Sequence, residues 1–382
     1  MFPVDKIVKV NEYIQAGGLG FVNFGKAMAF VLSDELNSSS DWDKKTIKIF
    51  STIDDAVEYF ADTTQSYMLI SRWFAAGGGD LSVYLRDENN DSVTTSATDA
   101  RGKNWFYSHF WTKEVTESQS NLMSLADWSD ANKCYLWAAT SEPDVADPNK
   151  SDDIASNMLA RGNRHFSLGY RQAETVIKDP SQIYFMTGLA VEFSKVNYAG
   201  LQTAITGEFK SIVGAISENL SPSEITALEK KKVVMYVTTV EGDQTDHGVV
   251  LNSWSMSSKN EHMDDVMNVD AMASGLRVSV YNEFKKSRRV GLTPRGQAQM
   301  IGAGDALLKT YYDNGVLGAG EIPNPLTGEM EYCEFGYKIY TVPEDALRIS
   351  SANEVVRKLY PINTRVNLGR AGHSLVFDLT IQ

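Results

Sequence analysis

Between Lys26 and Ser181 short apolar runs alternate with capped amphipathic segments, and this alternation limits the folds open to the chain. "KAMAFVLS" (Lys26–Ser33), "LSVYLR" (Leu81–Arg86), "KCYLWAAT" (Lys133–Thr140) and "HFSLGYR" read as strands. "STIDDAVEYFA" opens on Ser and Thr followed by acidic residues, the start signal of a helix. "SYMLISRWFAA" ends at Gly77–Gly79. "ESQSNLMSLADWSDA" places Leu122, Leu125, Ala126 and Trp128 at helical spacing, and further helices are expected over "IASNMLARG" and from near Ser181. Strand–helix alternation of this kind predicts an α/β layer with a partly parallel sheet.

The second half changes character. "SPSEITALEKKK" is a helix with Ser221 as cap ahead of Pro222. The strands "VVMYVTTV" and "GVVLNSW" follow, joined across "EGDQTDH". Two long helices come next. Val269, Met272, Ala273, Leu276, Val280 and Phe284 form the apolar stripe of the first. Thr293 caps the second, Pro294 starts it and Asn314–Gly315 stops it. With "FGYKIYTV" and the terminal stretches as strands, this half reads as an α+β domain. Its sheet is short of strands unless the N-terminus or a neighbouring molecule supplies one. Both ends of the sequence carry amphipathic strand patterns, "VDKIVKVNEYI" and "HSLVFDLTIQ", whose backbone groups need partners.

The residues exclude more functions than they indicate. The net charge of −13 is uneven: −9 over residues 1–150, −6 over 151–274 and +2 over 275–382. An acidic body argues against nucleic acid as a partner and suggests two surfaces with different partners. The densest basic stretch is "KKSRRVGLTPRG", with Lys285, Lys286, Arg288, Arg289 and Arg295. As a solvated helix end it would complement a helix dipole. No apolar run approaches the roughly 20 residues of a membrane-crossing helix, and no secretory signal is expected. Cys134 and Cys333 form no metal-ligand pattern, which suggests a reduced, cytosolic history. The five histidines (109, 165, 247, 262 and 373) lack ligand spacing, and no phosphate loop, nucleophile elbow or zinc-protease motif is present. "GVLGAG" (Gly315–Gly320) reads as a helix stop and turn, and "DENND" (Asp87–Asp91) as a plain turn. No catalytic, metal-binding or cofactor-binding residue is therefore assigned, and no cofactor is expected.

Taken end to end, "IVKVNEYIQAGGLGFVNFGKAMAFV", "TIDDAVEYFADTTQSYMLISRWFAAGGGDLSVYL", "LMSLADWSDANKCYLWAATSEPDV", "GEFKSIVGAISENLSPSEITALEKKKVVMYVTTVEG" and "LTPRGQAQMIGAGDALLKTYYDNGVLGAG" resemble the shorter tail sheath proteins of contractile-tailed bacteriophages. Their order and spacing carry the resemblance across nearly the whole chain. "RRVGLTPRG" departs from it in being more basic.

The resemblance implies a non-enzymatic virion protein, assembled in the host cytoplasm, whose six-fold rings stack around a tail tube and contract to drive the tube through the host envelope. Its partners would be itself, the tail tube protein, and baseplate and tail terminator proteins, without membrane insertion. The fold class it implies is α/β plus α+β, with the C-terminal sheet completed by arm strands from neighbouring subunits. The expected organisation is an N-terminal arm over 1–24 joining the inner domain, an outer α/β domain over 25–230, an inner α+β domain over 231–370 and a C-terminal arm over 371–382. Strand exchange would then involve Ile7, Val8, Val10, Leu375, Phe377, Leu379 and Ile381. Gly369 and Gly372 would be the hinge. Lys285, Lys286, Arg288, Arg289 and Arg295 would face the tube or a neighbour. A tube or baseplate-associated tail protein, or an α/β enzyme with an unrecognised site, remains the alternative.

Overall fold

The computed structural model describes residues 19–375, apart from the side chain of His247. The chain divides into two compact units. Of the described residues, a sheet unit holds 23–271, 314–316 and 370–375, and a helix-pair unit holds 19–22, 272–313 and 317–369.

The sheet unit starts with β1 (Ala27–Val31), β2 (Ile47–Phe50), α1 (Ile53–Tyr59), α2 (Gln65–Ala75) and β3 (Leu81–Leu85). It continues through α3 (Val93–Lys103), β4 (Ser108–Trp111), α4 (Lys113–Thr116), α5 (Gln119–Asn132), β5 (Tyr135–Thr140), α6 (Ile154–Arg161) and β6 (Phe166–Tyr170). The six strands form one sheet in the order β2-β3-β1-β4-β5-β6. Only β2 is antiparallel to its neighbour. The two-residue period of a strand sends the apolar residues of each run alternately to the two faces. Ala27, Ala29 and Val31 of β1 and Tyr135, Trp137 and Ala139 of β5 join one core with Leu69, Ile70 and Trp73 of α2. Met28, Phe30, Leu136 and Ala138 join the other, with Ala97 and Ala100 of α3 and Leu122 and Leu125 of α5. Fully burying each large apolar side chain contributes about 1.5–3 kcal/mol, so losing either helical cover would strip the sheet of its support.

Four of these elements, β2, α3, β4 and the one-turn α4, were not expected from the sequence. β4 is central, yet it is only four residues long and half of it is polar. Its polar groups are satisfied inside the protein. Ser108 Oγ accepts from Trp137 Nε1 at 3.1 Å, and His109 lies between Ser129 Oγ (2.9 Å) and Trp111 Nε1 (2.8 Å). Burial pushes the His109 pKa down to about 3, so the ring stays neutral. α3 is rich in Thr and Ser, poor helix formers, and is capped by Ser92 accepting from the Thr95 N–H.

After β6 come α7 (Ala173–Lys178), α8 (Phe185–Ser194), α9 (Pro222–Lys230), β7 (Met235–Glu241) and β8 (Gln244–Leu251). β7 and β8 form an antiparallel hairpin that turns at Gly242, φ +61°. The expected boundary at residue 231 falls inside this unit, for identifiable reasons. Lys231 is buried, and its ammonium reaches Asp153 Oδ2 at 2.7 Å and the Val145 carbonyl at 2.9 Å. Val234 exchanges backbone hydrogen bonds with the edge strand β6: its N–H donates to Leu168 O, and its carbonyl accepts from the Tyr170 N–H.

α10 (Met263–Lys286) and α11 (Pro294–Asn314) are the two long helices, and Gly315 stops the second in the left-handed region, φ +92°. Within the helix-pair unit they approach closely at Gly275, where a Cβ would stand 3.0 Å from Tyr311 Oη and 3.2 Å from Leu307 Cδ2. Ser279 Oγ also donates to the Ala303 carbonyl at 2.9 Å. The described start of the chain docks here: Leu19 N–H donates to Asn282 Oδ1 and its carbonyl accepts from Asn282 Nδ2, both at 2.7 Å. The unit's other elements are β9 (Gly320–Pro323), β10 (Met330–Cys333), β11 (Tyr337–Ile339), α12 (Ser351–Val355) and β12 (Thr364–Val366). Among the described residues its strands form only two-stranded pairs, β9 with β10 and β11 with β12. Pairs of that size are marginal alone and leave strand edges open. No helix among the described residues is long and apolar enough to cross a membrane.

Candidate functional site

The expected strand-exchange residues Ile7, Val8, Val10, Phe377, Leu379 and Ile381 lie outside the described residues. Leu375, the last described residue, is 86% exposed. The two expected hinge glycines differ. Gly369 backs onto Gly318, where a Cβ would come within 2.9 Å of the Gly369 Cα, while Gly372 has open space around it. Lys285 and Lys286 end α10, Arg288 and Arg289 occupy the link, and Arg295 stands in the first turn of α11; all five are exposed. The lysines complement the negative end of the α10 dipole. Arg295 does not fit that account, because a cation in the first turn of α11 faces the positive end of that helix.

The sequence reading missed a second constellation, at the root of the C-terminal segment. Three residues from distant parts of the chain meet in the sheet unit: Glu208, His262 and His373. One ring nitrogen of each histidine and a carboxylate oxygen lie within 4.8 Å of one another. Glu208 is buried, and its orientation is fixed because Oε1 accepts from the Asn252 N–H and Oε2 from the Ser253 N–H, both at 2.9 Å. His262 immediately precedes α10 and stacks on Trp254, with ring centroids 3.7 Å apart. Its Nδ1 faces the Ser253 carbonyl at 3.3 Å. His373 Nε2 contacts Thr206 Oγ1 at 2.9 Å, and its ring meets that of His262 edge-on, centroids 4.6 Å apart. Burial, then the neighbouring His373, holds the His262 pKa below its ordinary value.

The surrounding charge is negative. Burial, then the neighbouring Asp265, pushes the Asp264 carboxyl up to about 7, and its Oδ1 has no hydrogen-bond partner among the described residues. Arg370 pairs with Asp265, Nε to Oδ2 3.0 Å, and so ties the returning chain to the first turn of α10. No local spacing could have announced this set, because its members come from three separate segments.

Two further ionic clusters hold the sheet unit together. His165 lies between Asp130 Oδ1 and Asp270 Oδ2, each at 2.8 Å, and Tyr107 Oη donates to the same Asp270 oxygen at 2.9 Å. Burial depresses the His165 pKa, but the hydrogen bonds and charges of both aspartates outweigh burial and raise it above the ordinary value. Arg171 is completely buried and pairs with Glu218 at 3.3 Å. It also donates to the carbonyls of Gln182 and Ile216 and lies 4.3 Å from the centre of the Phe185 ring. Burial lowers its pKa to about 10 despite Glu218, so it remains charged at neutral pH. Both ring nitrogens of His165 are engaged, and the Arg171 donors point at interior acceptors. Each cluster is therefore arranged to bind protein groups to one another.

No family model matches the sequence, and no curated protein matches it. Solved structures do. A chain of the anti-feeding prophage (AFP) helical sheath in its contracted state superposes with a TM-score of 0.63 at 10% identity, covering 98% of each chain. A chain of the AFP baseplate, 6-fold symmetrised, gives 0.62 at 11% identity, again covering 98% of each chain. A chain of the AFP baseplate in contracted state gives 0.64 at 10% identity, over 100% of this chain and 98% of the other. At such identities the likeness speaks to fold. From end to end, this chain has the fold of subunits in the sheath and baseplate structures of a contractile particle.

Proposed function

We propose that this chain is a structural subunit of a contractile tail sheath, forming six-fold rings that stack around a tail tube and contract to drive it through an envelope. The observation that carries this reading is the full-length likeness to a chain of a contracted helical sheath. The open-edged strand pairs of the helix-pair unit and the exposed Leu375 at the start of an alternating apolar pattern also support it. In this reading Ile7, Val8, Val10, Leu375, Phe377, Leu379 and Ile381 supply strands to neighbouring subunits, with Gly369 and Gly372 at the bend. The partners are other copies of the chain, the tube protein, and baseplate and terminator proteins, and the place of action is a phage or phage-like particle. Work comes from a difference in interface free energy between the extended and contracted states, so chemistry at a catalytic site plays no part.

Negative-stain microscopy of the purified chain tests this. Hollow cylinders or stacked rings are expected, and small discrete particles at assembly concentrations would count against it. The likeness to baseplate chains favours a second reading, a sheath-type subunit confined to the baseplate. That reading predicts closed rings that never lengthen into cylinders. Removing residues 375–382, which leaves His373 in place, should abolish cylinders while the monomer keeps its circular dichroism and melting temperature. Normal polymerisation of the truncated chain would show that the terminal strand joins no neighbour.

The basic turn between the two long helices is the proposed face toward the tube or an acidic neighbour. Replacing Arg288 and Arg289 by Glu should shorten or eliminate cylinders, and the monomer stability should stay within about 0.5 kcal/mol, as is usual for exposed sites. Single exposed ion pairs contribute only ~0–1 kcal/mol, but a ring and a stack repeat them many times. The effect should weaken in high salt, because screening acts over about 8–10 Å at physiological ionic strength. Cylinders of unchanged length and salt response in the double variant would return these residues to the role of a solvated helix end.

A further inference from the structure

We infer that Glu208, His262 and His373 form a binding site for a divalent transition-metal ion of the zinc class. Two imidazoles and one carboxylate, with solvent completing the shell, are a donor set that suits Zn²⁺, Co²⁺ or Ni²⁺ and disfavours the hard ions Mg²⁺ and Ca²⁺. The site is built, in that its donors are held from behind. Two backbone N–H groups orient the Glu208 carboxylate, the Ser253 carbonyl faces Nδ1 of His262, and the Thr206 hydroxyl meets Nε2 of His373. Each imidazole thus has one nitrogen against an outer partner, the kind of contact that orients histidine ligands in metal sites. Trp254, stacked on His262, fixes the plane of that ring.

The spacing is close to what an ion requires. Ligands at about 2.0–2.1 Å from a tetrahedral zinc stand about 3.4 Å apart. The three donor atoms lie within 4.8 Å of each other. Closure of up to about 1.4 Å reaches the tetrahedral spacing, and His373, on a segment beside the unconfined Gly372, can supply it. The surroundings also suit a cation, since the buried Asp264 Oδ1 has no hydrogen-bond partner among the described residues and Glu208 is itself buried. Arg370 pairs with Asp265. An ion bound here ties the start of the C-terminal segment to the sheet unit. The bearing of that tie on sheath assembly rests on the function proposed above, whereas the binding itself does not.

The test uses the full chain as monomer, carrying no polyhistidine tag and stripped with a chelator. Co²⁺ is titrated while its visible d–d absorption is followed, and Zn²⁺ is then added in competition. One equivalent of Co²⁺ should bind, and Zn²⁺ should displace it. His373→Ala and His262→Ala should each weaken Co²⁺ binding by more than roughly tenfold, since even outer partners of metal ligands cost 10–100-fold. His373 lies on a peripheral segment, so its variant should keep the metal-free melting temperature. Glu208 is a poorer target, because its carboxylate also serves two backbone donors. Limited proteolysis gives a second readout: Zn²⁺ should protect the chain around residues 370–375 in the wild type and not in His373→Ala. Absence of saturable binding, or binding and protection that both histidine variants share with the wild type, would overturn the assignment. Neither result depends on whether the chain forms cylinders.

Discussion

His165→Ala should lower the stability of the sheet unit by roughly 3–5 kcal/mol, the range for breaking a buried ion pair by removing one partner. A loss of that size corresponds to a melting-temperature drop on the order of 10 °C for a unit this large. Asp270 is 5% exposed, and without the imidazole it keeps only the Tyr107 hydroxyl at 2.9 Å and the Arg164 guanidinium at 4.0 Å. Asp130 loses the imidazole as well, though it still accepts from Asn163 Nδ2 and from the His165 and Arg164 backbone N–H groups. The pH dependence follows from the direction of the shift. The folded pKa of His165 stands above the unfolded value of about 6.5, so its stabilisation is complete below about pH 6.5. It is lost as the pH rises through the folded value. Thermal melts across pH 5.5–9 should therefore show the wild type losing stability relative to His165→Gln above about pH 6.5. Parallel profiles would mean that the imidazole is not charged in the folded state.

Arg171→Met should cost a similar amount, roughly 3–5 kcal/mol, because it leaves Glu218 charged at 2% exposure. Glu218 would keep Thr175 Oγ1 at 2.7 Å and the Gln172 N–H at 3.3 Å, which orient the carboxylate but do not neutralise it. Arg171→Lys should recover little. A lysine has no planar fork to reach the Gln182 and Ile216 carbonyls and Glu218 together while lying on the Phe185 ring. The double variant Arg171→Met/Glu218→Gln should be more stable than Arg171→Met alone, since the unpaired charge is then gone. Urea melts of the wild type, Arg171→Met, Glu218→Gln and the double variant measure the coupling. Additive losses would show that the pair does not interact energetically.

What could be read from the sequence divides along physical lines. β1, β3, β5 and β6 were legible because a parallel strand buried on both faces leaves a run such as Ala27–Val31 with hardly a polar break. β4 was not, because His109 and Ser108 interrupt its run and are tolerated through Trp111 of the same strand and through Ser129 and Trp137, partners from other segments. α3 was hidden by Thr and Ser, whose preference against helix is overridden by the burial of Ala97 and Ala100 under the sheet. The hairpin β7–β8 was legible as two strands, but its attachment was not. The sequence placed Lys231 simply within the helix "SPSEITALEKKK", and only the fold shows its ammonium buried against Asp153. The basic residues around the α10–α11 link lie on one turn because they are close in sequence. Glu208, His262 and His373 meet only because the chain returns to the sheet unit at Arg370.

That return has a topological consequence. The helix-pair unit is almost entirely an insertion: the chain leaves the sheet unit at Ala271 and comes back for good at Arg370, with residues 314–316 in between also belonging to the sheet unit. Bringing Arg370 to Asp265 therefore closes a loop. For about 100 flexible residues, loop closure costs on the order of 4 kcal/mol of chain entropy. A folded insertion that already holds its own two ends at the right spacing removes much of that cost. The stabilities of the two units are thereby linked through the covalent path alone, whatever interface they share. Unfolding the insertion first should loosen the last described residues, and an intact anchor at Asp265 and Arg370 should in turn favour an inserted segment that keeps its ends together.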